Sequence, residues 1–406
     1  MALVSDLDVP QFDYFDPELR GPRFHERMRE LHGEAWLAQS PLGWFVLDRE
    51  AGEFFLRSRS LTFPGMKMAE LFGVDDGPLR EEIERNILNI NGEDHSRLRR
   101  LVNPALSPRA AERYRPAMRV FLEELVGGFA TDGRCELVAD LCKPYPSLVI
   151  ATVMGAPLEY APQLHEWSNW IQRQFDAGDL VERRDRIERA VVEFYDFANE
   201  LLERRRHEPG DDLISTLIAA RYEGDRLSDV ELVNLVLNVL VGGVDTTQSQ
   251  LAHAVRLLAE HPEQWDLLAE RPELAPRAVE EALRYEPITP FTARIALEDV
   301  EYRGVTFPEG TIVMVSAWNA NHDPVAYEAP ERFDITAERG AAKPLTFGAG
   351  IHYCLGANLA RAELQEALAY LPSRMSALAL DGEPEFGSVN GIYGLERLPL
   401  LFAATH

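Results

Sequence analysis

One cysteine lies in a setting that favours chemistry: Cys354, in the segment FGAGIHYCLG at positions 347–356. The glycines of this segment permit backbone conformations and close approaches that side chains would block. A helical pattern follows from Ala357 to Leu371, so the sulfur lies at a helix N-terminus, close to the positive end of the dipole and to free amide donors. Both features favour the thiolate, which is the form that attacks electrophiles and binds metals.

Cys354 has no second cysteine at a metal-ligand spacing, so it cannot complete a structural zinc site. A single thiolate in a glycine-rich loop instead suits the axial ligand of a haem iron. The alternative is that Cys354 is a small buried hydrophobic residue, as isolated cysteines commonly are. Cys135 and Cys142 have no such loop, and this second interpretation applies to them.

An acid and a hydroxyl interrupt the longest helical pattern of the chain. Ser228 and Glu231 predict a capping-box start, and the apolar face continues to Leu258, for a helix of roughly 50 Å. Its centre, at positions 241–247, reads VGGVDTT, which is unfavourable in a buried helix. Here Asp245 and Thr246 could transfer protons beside a loosened turn. The alternative is that they are merely weak helix formers.

Several basic side chains could bind an anion. His95 and Arg99 share a helix face at a spacing of four, and Arg294 lies in a predicted strand. Glu281 and Arg284 are neighbours on a helix at a spacing of three, an arrangement that is usually a solvated salt bridge. Taken singly, each of these residues is expected at the surface.

The order of these motifs resembles the cytochrome P-450 family over most of the chain. The cysteine segment matches F-G-x-G-x-H-x-C-x-G, and Glu281-Ala282-Leu283-Arg284 is similar to the family's E-x-x-R helix. Positions 330–333, PERF, resemble its later P-E-R-F segment, and positions 242–246 its glycine-rich acid–alcohol turn. The resemblance implies a mainly helical prism with small β-sheets around one buried haem b.

The resemblance also implies roles for individual residues. Cys354 would be the iron ligand, and Asp245 and Thr246 would deliver protons to dioxygen, the co-substrate. A buried structural network would comprise Glu281, Arg284 and Arg332. The remaining residues expected to contact the cofactor, four of them beside its propionates, are His95, Arg99, Arg294, His352, Phe347, Gly348, Gly356 and Gly243.

The implied reaction is a monooxygenation, in which one atom of O2 enters an apolar small molecule by hydroxylation or epoxidation. Electrons would come from NAD(P)H through separate proteins, either a ferredoxin and ferredoxin reductase or a flavodoxin. Two alternatives remain open: a peroxygenase that consumes hydrogen peroxide, and a haem-based sensor without turnover. An intact acid–alcohol pair disfavours the first, and no effector domain is apparent for the second.

Composition excludes other functions for these 406 residues. A net charge of −26 argues against binding to nucleic acid or to an anionic membrane surface, because both carry negative charge and would repel the protein. The first 17 residues lack the pattern of a signal peptide, and no uninterrupted apolar run suggests a membrane anchor. Three scattered cysteines do not make a disulfide framework, so a cytoplasmic protein is expected.

Periodicity predicts one domain over residues 1–406, helical from about Glu93 to Glu286 and flanked by short strands. Strands are expected at Gly43–Leu47, Thr292–Ala296, Val300–Val305 and Thr311–Val315. An irregular segment should follow from His322 to Pro344. The resemblance also implies that electrons arrive near the cysteine, so the arginines between Arg97 and Arg119 would form a basic patch for the donor, unless Glu112, Glu123 and Glu124 pair with them.

The substrate itself cannot be identified from the sequence, but analogy with the family places several apolar residues around it. The alternative for most of them is ordinary core packing. The predicted pocket residues are Phe63, Met66, Met68, Leu71, Phe72, Ile87, Leu240, Val244, Ile288, Phe291 and Ile392.

Overall fold

The computed structural model describes residues 2–404, and most of them are helical. The helices are α1 (Gly21–Glu34), α2 (Arg49–Arg57), α3 (Gly65–Leu71), α4 (Gly77–Arg85), α5 (Gly92–Val102), α6 (Pro108–Glu112), α7 (Arg115–Gly127), α8 (Pro144–Met154), α9 (Ala161–Gln172), α10 (Ala177–Glu182), α11 (Arg184–His207), α12 (Leu213–Ala219), α13 (Asp229–Gly243), α14 (Asp245–Ala259), α15 (Pro262–Glu270), α16 (Ala275–Tyr285), α17 (Ala317–Asn321) and α18 (Ala357–Tyr370).

Within residues 2–404, short strands flank the helices in four small sheets. The strands are β1 (Ala2–Leu3), β2 (Leu37–Ser40), β3 (Gly43–Val46), β4 (Leu61–Thr62), β5 (Arg134–Glu136), β6 (Phe291–Ala296), β7 (Val300–Tyr302), β8 (Val305–Phe307), β9 (Ile312–Ser316), β10 (Met375–Leu380), β11 (Glu385–Phe386), β12 (Leu395–Arg397) and β13 (Pro399–Ala404). The largest sheet has the order β2-β3-β9-β6-β4, with β3 and β9 parallel and the other pairs antiparallel.

The single strand predicted at Val300–Val305 is wrong. Residues 300–307 form an antiparallel hairpin, in which Tyr302 pairs with Val305. Arg303, at φ 49°, and Gly304, at φ 77°, make the turn between them. Glycine adopts such positive φ angles readily, so the Arg-Gly pair is a turn signal inside the apparent strand.

The long helical pattern forms two consecutive helices, α13 and α14. The predicted capping box is confirmed, because Ser228 and Glu231 bond reciprocally to each other's backbone. The helical path is distorted at Val244, which lies between the two helices and has a ψ of −74°. Within residues 2–404, the combined span Asp229–Ala259 is the one helix whose length and hydropathy would allow it to cross a membrane. However, 67% of its most apolar window is buried inside the molecule.

The main hydrophobic core surrounds α13 and α14, with Leu235, Val236 and Leu251 fully or almost fully buried. Two smaller cores lie beneath the sheets, one of them built on the aromatic rings of Phe12, Phe45 and their neighbours. Helix α18, which follows Cys354, packs against α7, α14 and α16. The cysteine segment is therefore attached directly to the central helices.

Candidate functional site: a cavity between the long helix and the cysteine segment

A cavity of about 440 Å³ lies between the cysteine segment on one side and the junction of α13 and α14 on the other. Cys354 lines it, as do Gly242, Gly243 and Thr246. Strand β6 and the segment around α3–α5 complete the wall. The two parts of the sequence that carry candidate chemistry thus face one enclosed space.

Glycines allow the cysteine segment to adopt its path. Gly348 has φ 68°, and the Cys354 amide donates to the Phe347 carbonyl at 3.0 Å, which closes the loop. Gly350 has φ 74°, and a Cβ there would lie 2.6 Å from the carbonyl oxygen of Leu56. No side chain fits at position 350 without moving this backbone, so the segment rests directly on the end of α2.

The thiol of Cys354 is less acidic in the protein alone than its position predicts. Burial raises its pKa above the ordinary value. The amides of Gly356 and Ala357, with Arg99 and Arg361, act in the opposite direction but do not outweigh burial. The expectation that the helix N-terminus favours the thiolate is therefore only partly right, and a bound metal cation would have to stabilise the charge.

The basic residues predicted to bind an anion converge on this cavity, which His95, Arg99, Arg294 and His352 all line. Arg294 is 4% exposed, donates only to the adjacent Ala293 carbonyl, and has a pKa lowered to about 10 by burial. Arg99 donates to the Tyr353 carbonyl at 2.6 Å. Neither arginine forms an ion pair with a carboxylate within residues 2–404.

The two histidines are held neutral by the same surroundings. Burial, with a smaller contribution from nearby arginines, lowers the pKa of His95 to about 4 and that of His352 to about 3. Their rings are 4.5 Å apart, and Nε2 of His352 is buried without a hydrogen-bond partner. Buried cations and donors without acceptors are unfavourable unless an anion is bound.

This arrangement fits a haem. The unpaired Arg99 and Arg294 and the partnerless His352 nitrogen would meet its two propionates, and Cys354 would meet its iron. Phe347, Gly348 and Gly356 also line the cavity beside Cys354.

Gly243 contributes to the shape of the opposite wall, on the long helix. A Cβ at this position would lie 2.4 Å from Cδ1 of Ile150 on α8, so only glycine fits without a shift. The close approach of α8 and α13 therefore depends on Gly243.

Asp245 and Thr246 lie at the distorted turn with different exposure. Thr246 lines the cavity, and its Oγ1 donates to the Gly242 carbonyl at 2.5 Å. Asp245 is 5% exposed, accepts a 2.7 Å hydrogen bond from Ser168, and has no partner for Oδ1. Burial raises its pKa to about 6, against the smaller lowering effects of Ser168 and Asn169. A carboxyl with this pKa exchanges protons readily near neutral pH.

The predicted charged network is present with one residue corrected. Arg284 and Glu281 are both buried and form an ion pair at 2.9 Å. The third member is Arg339, 2.5 Å from Glu281, and not Arg332. The side chain of Arg332 is 73% exposed and pairs with Asp334. Only the backbone carbonyl of Arg332 points inward, where it accepts hydrogen bonds from Arg284 and Arg339.

The predicted pocket residues divide by helix face. Those on the cavity wall are Phe63, Met68, Phe72, Ile87, Ile288, Phe291 and Ile392. Met66, Leu71, Leu240 and Val244 do not lie on it, and for them the prediction is wrong. At 100° per residue, Met66 and Leu71 fall on either side of the face of α3 that carries Met68. Leu240 and Val244 share a buried face of the long helix away from Gly242 and Thr246.

A polar group in the cavity was not predicted. Asn86, Gln174 and Asn238 line the wall, and Glu82 is fully buried behind Asn86. Asn238 interrupts the apolar sequence of α13. Its position four residues before Gly242 was the available signal, because it places the amide on the helix face that carries Thr246.

The predicted arginine patch is largely neutralised. Arg97 pairs with Asp225 and Glu231, while Arg113 pairs with Asp211. Arg115 and Arg119 both pair with Glu366, and Arg115 also pairs with Glu112. Arg100 and Arg109 form no ion pair within residues 2–404, so the patch is smaller than predicted.

Comparisons with known proteins agree with this site. Residues 77–376 match the family model for cytochrome P-450. The chain is 35% identical to luteothin monooxygenase of Streptomyces thioluteus, over 98% of each chain. It is 39% identical to mycinamicin IV hydroxylase/epoxidase of Micromonospora griseorubida, over 75% of this chain and 76% of the other.

Solved structures show the same fold. The crystal structure of CalO2 superposes with a TM-score of 0.89 and 31% identity, covering 97% of this chain and 99% of that one. A cytochrome P-450 solved with a hexadec-9Z-enoic acid ligated acyl carrier protein gives 0.84 and 32%, covering 93% and 97%. Bacterial monooxygenases of this kind use separate redox partners. These matches over most of the chain show that it belongs to the cytochrome P-450 family, as a monooxygenase that uses haem b and O2.

Proposed function

We propose that this protein inserts one oxygen atom into an apolar small molecule bound in the cavity between Cys354 and Thr246. The observation that carries the proposal is that both residues line one cavity whose wall is mostly apolar. The whole of residues 1–406 would act as one haem-binding domain in the cytoplasm. Electrons would come from NAD(P)H through a ferredoxin and its reductase, or through a flavodoxin.

In this proposal the side chains around the cavity hold the cofactor. Cys354 ligates the iron, and Arg99, Arg294, His95 and His352 surround the propionates. When bound, the haem would supply an iron at which dioxygen can be reduced and split with electrons from the redox partners. Lipophilic residues such as Phe72 and Ile288 exclude water and bring the substrate close.

Proton delivery would fall to Asp245 and Thr246. The buried carboxyl of Asp245 receives a proton from outside the cavity through its Ser168 side. The hydroxyl of Thr246, which now donates to Gly242, can turn to donate into the cavity instead. Two adjacent groups of this kind support reduction of O2 and disfavour the peroxide-driven alternative, which requires no such relay.

The test of the cofactor site uses the three cysteines as a matched set. Cys354→Ser should abolish the strongly red-shifted absorption band of the reduced carbonyl complex, whereas Cys135→Ser and Cys142→Ser should retain it. Cys135 and Cys142 lie outside the cavity wall, so they control for the loss of a thiol in itself. Retention of the band by the Cys354 variant would refute the assignment.

Turnover is tested with the purified holoprotein, a ferredoxin, its reductase and NAD(P)H. A library of apolar compounds, screened by the spin-state shift of the haem, supplies candidate substrates. Oxygenated product formed in proportion to NAD(P)H consumption supports the monooxygenase. Product formed only with hydrogen peroxide would indicate the peroxygenase, and a spectral shift without any product would indicate a sensor.

A further inference from the structure

Two asparagines from separate segments hold spare hydrogen-bond donors against the far end of the cavity. Asn86 follows α4, and Asn238 lies in α13; both line the cavity wall. The lining also includes the apolar Phe72, Ile83 and Ile87, and the polar Gln174, whose amide donates to the Ile171 carbonyl. A pair of amides in such a wall is unfavourable unless a ligand or water uses their hydrogen-bonding groups.

The hydrogen bonds around each amide determine which end faces the cavity. Oδ1 of Asn86 accepts from the Leu88 amide at 3.1 Å, and its Nδ2 donates one hydrogen to Glu82 at 2.8 Å. Oδ1 of Asn238 accepts from the Ile87 amide at 3.2 Å. The carbonyl ends are therefore occupied by the protein, which leaves one N–H of Asn86 and two of Asn238 without an acceptor among residues 2–404.

Glu82 acts behind this pair as a positioning residue. It is fully buried and does not line the cavity, and its Oε2 has no hydrogen-bond partner. Burial raises its pKa to about 7, although Asn86 donates to it. Since this carboxyl lies behind the amides and the neighbouring Arg85 is paired with Glu81, the site suits a neutral acceptor better than an anion.

The position of Asn238 also gives the site a distance from the reactive end. Asn238, Gly242 and Thr246 follow one another at intervals of four residues, so they share a face of the long helix. Eight residues at 1.5 Å each place Asn238 about 12 Å from Thr246 along the axis. A ligand held at Asn238 would therefore present a carbon about that far away to the oxidising end.

We propose that Asn86 and Asn238 form a donor subsite that binds one neutral hydrogen-bond acceptor, a carbonyl or ether oxygen, of an otherwise apolar substrate. The subsite sets the position that is oxidised, by fixing the substrate about 12 Å from Thr246. This inference rests on the proposed function for its consequence, but the binding step can be measured without turnover.

The test uses a rigid ligand and the same ligand without its acceptor: 5α-androstan-3-one and its parent hydrocarbon 5α-androstane. Equilibrium dialysis of the holoprotein, in one cosolvent, gives both dissociation constants. The ketone should bind about tenfold more tightly than the hydrocarbon, as expected for one buried hydrogen bond. Equal affinities, or no binding of the ketone, would overturn the subsite.

Variants separate hydrogen bonding from packing. Asn238→Leu removes the donors at similar volume and should weaken the ketone about tenfold, while leaving the hydrocarbon within about twofold. Asn238→Asp keeps an acceptor for the Ile87 amide and, measured at pH 8, should show the same selective loss. Thr289→Val removes a hydroxyl elsewhere on the cavity wall and should change neither ligand.

Equal weakening of both ligands by Asn238→Leu would show a packing defect and contradict the proposal. The result is also independent of the proposed reaction. A holoprotein that discriminates between the two ligands but oxidises nothing would keep the subsite and refute the monooxygenase. A holoprotein that oxidises apolar compounds but binds the ketone and the hydrocarbon equally well would refute the subsite and keep the monooxygenase.

Discussion

Thr246 donates a hydrogen bond of 2.5 Å from its Oγ1 to the carbonyl oxygen of Gly242, one turn earlier on the same side of the long helix. The hydroxyl is thus held by the protein while it lines the cavity. Replacing it removes a proton donor without altering the cofactor site. Thr246→Ala should still consume NAD(P)H, but release the reducing equivalents as hydrogen peroxide. Thr246→Ser, which keeps the hydroxyl, should remain coupled; equal coupling in both variants would exclude this role.

Asp245 should produce an inflection near pH 6 in the turnover rate. Its pKa is raised to about 6, so the protonated share falls as the pH rises above that value. Asp245→Asn should lower turnover by about 10²-fold and remove the inflection. An inflection that persists in the variant would belong to another group.

The same substitution should stabilise the protein at neutral pH. The folded state holds the Asp245 proton up to about pH 6, whereas the unfolded chain releases it near pH 4, so stability decreases as the pH rises between these values. Asparagine has no titratable proton, so the variant should avoid this loss of up to about 3 kcal/mol in the free energy of unfolding. Chemical denaturation at pH 4 and pH 7 measures the difference.

Arg339 and Arg332 offer a matched pair of substitutions. Arg339→Ala leaves the buried Glu281 with one partner fewer and should cost about 3–5 kcal/mol, with poor recovery of holoprotein. Arg332→Ala removes an exposed ion pair with Asp334 and should cost about 0–1 kcal/mol. Urea denaturation and haem content report both. If Arg332→Ala destabilised the protein more than Arg339→Ala, Arg332 would belong to the buried network.

Electron transfer from an acidic ferredoxin should depend on the unpaired arginines. Arg109 lies in α6, which packs against α18, the helix that follows Cys354. Arg100 lies in α5, and its guanidinium lies over the ring of Tyr222. The reduction rate should fall as salt shortens the Debye length towards 8 Å. Arg109→Gln should flatten this dependence more than Arg113→Gln, because Arg113 is already paired with Asp211. A reduction rate that does not change with ionic strength would indicate that the donor docks by apolar contacts.

His253 should make the protein sensitive to acid. It is fully buried, both ring nitrogens lack partners, and burial lowers its pKa to about 3. Between about pH 6.5 and pH 3 the unfolded chain binds a proton that the folded protein does not, so stability falls as the pH falls. His253→Leu should reduce this slope by up to about 1.4 kcal/mol per pH unit.

Contiguous motifs were the part of the site that the sequence could predict. The segment around Cys354 and the turn at Asp245 and Thr246 each carry their chemistry within ten residues, so no knowledge of long-range contacts is needed. The long helix was also predictable, because its capping box and apolar period agree with each other. The sequence also indicated a weak point at positions 241–247, and only the geometry of the break at Val244 had to come from the structure.

Side-chain direction in irregular segments was not predictable. Arg332 and Arg339 lie in a segment without helix or strand periodicity, and nothing local determines which guanidinium points inward. The opposite holds for Met66, since the helical period of α3 places it almost opposite Met68 and would have excluded it. Leu71 lies three residues after Met68, so the period alone does not exclude it. Asn86 follows α4 and Asn238 lies in α13, so their meeting depends on tertiary packing.

The contact between Gly350 and Leu56 joins the last quarter of the chain to the first, with no room for a side chain between them. During synthesis the N-terminal helices emerge long before the segment that rests upon them. The cysteine loop can take its final path only after its release from the ribosome and its docking on α2. Cofactor uptake should therefore follow the emergence of this segment, and nascent chains that stop short of Gly350 will remain colourless however well their helices have formed.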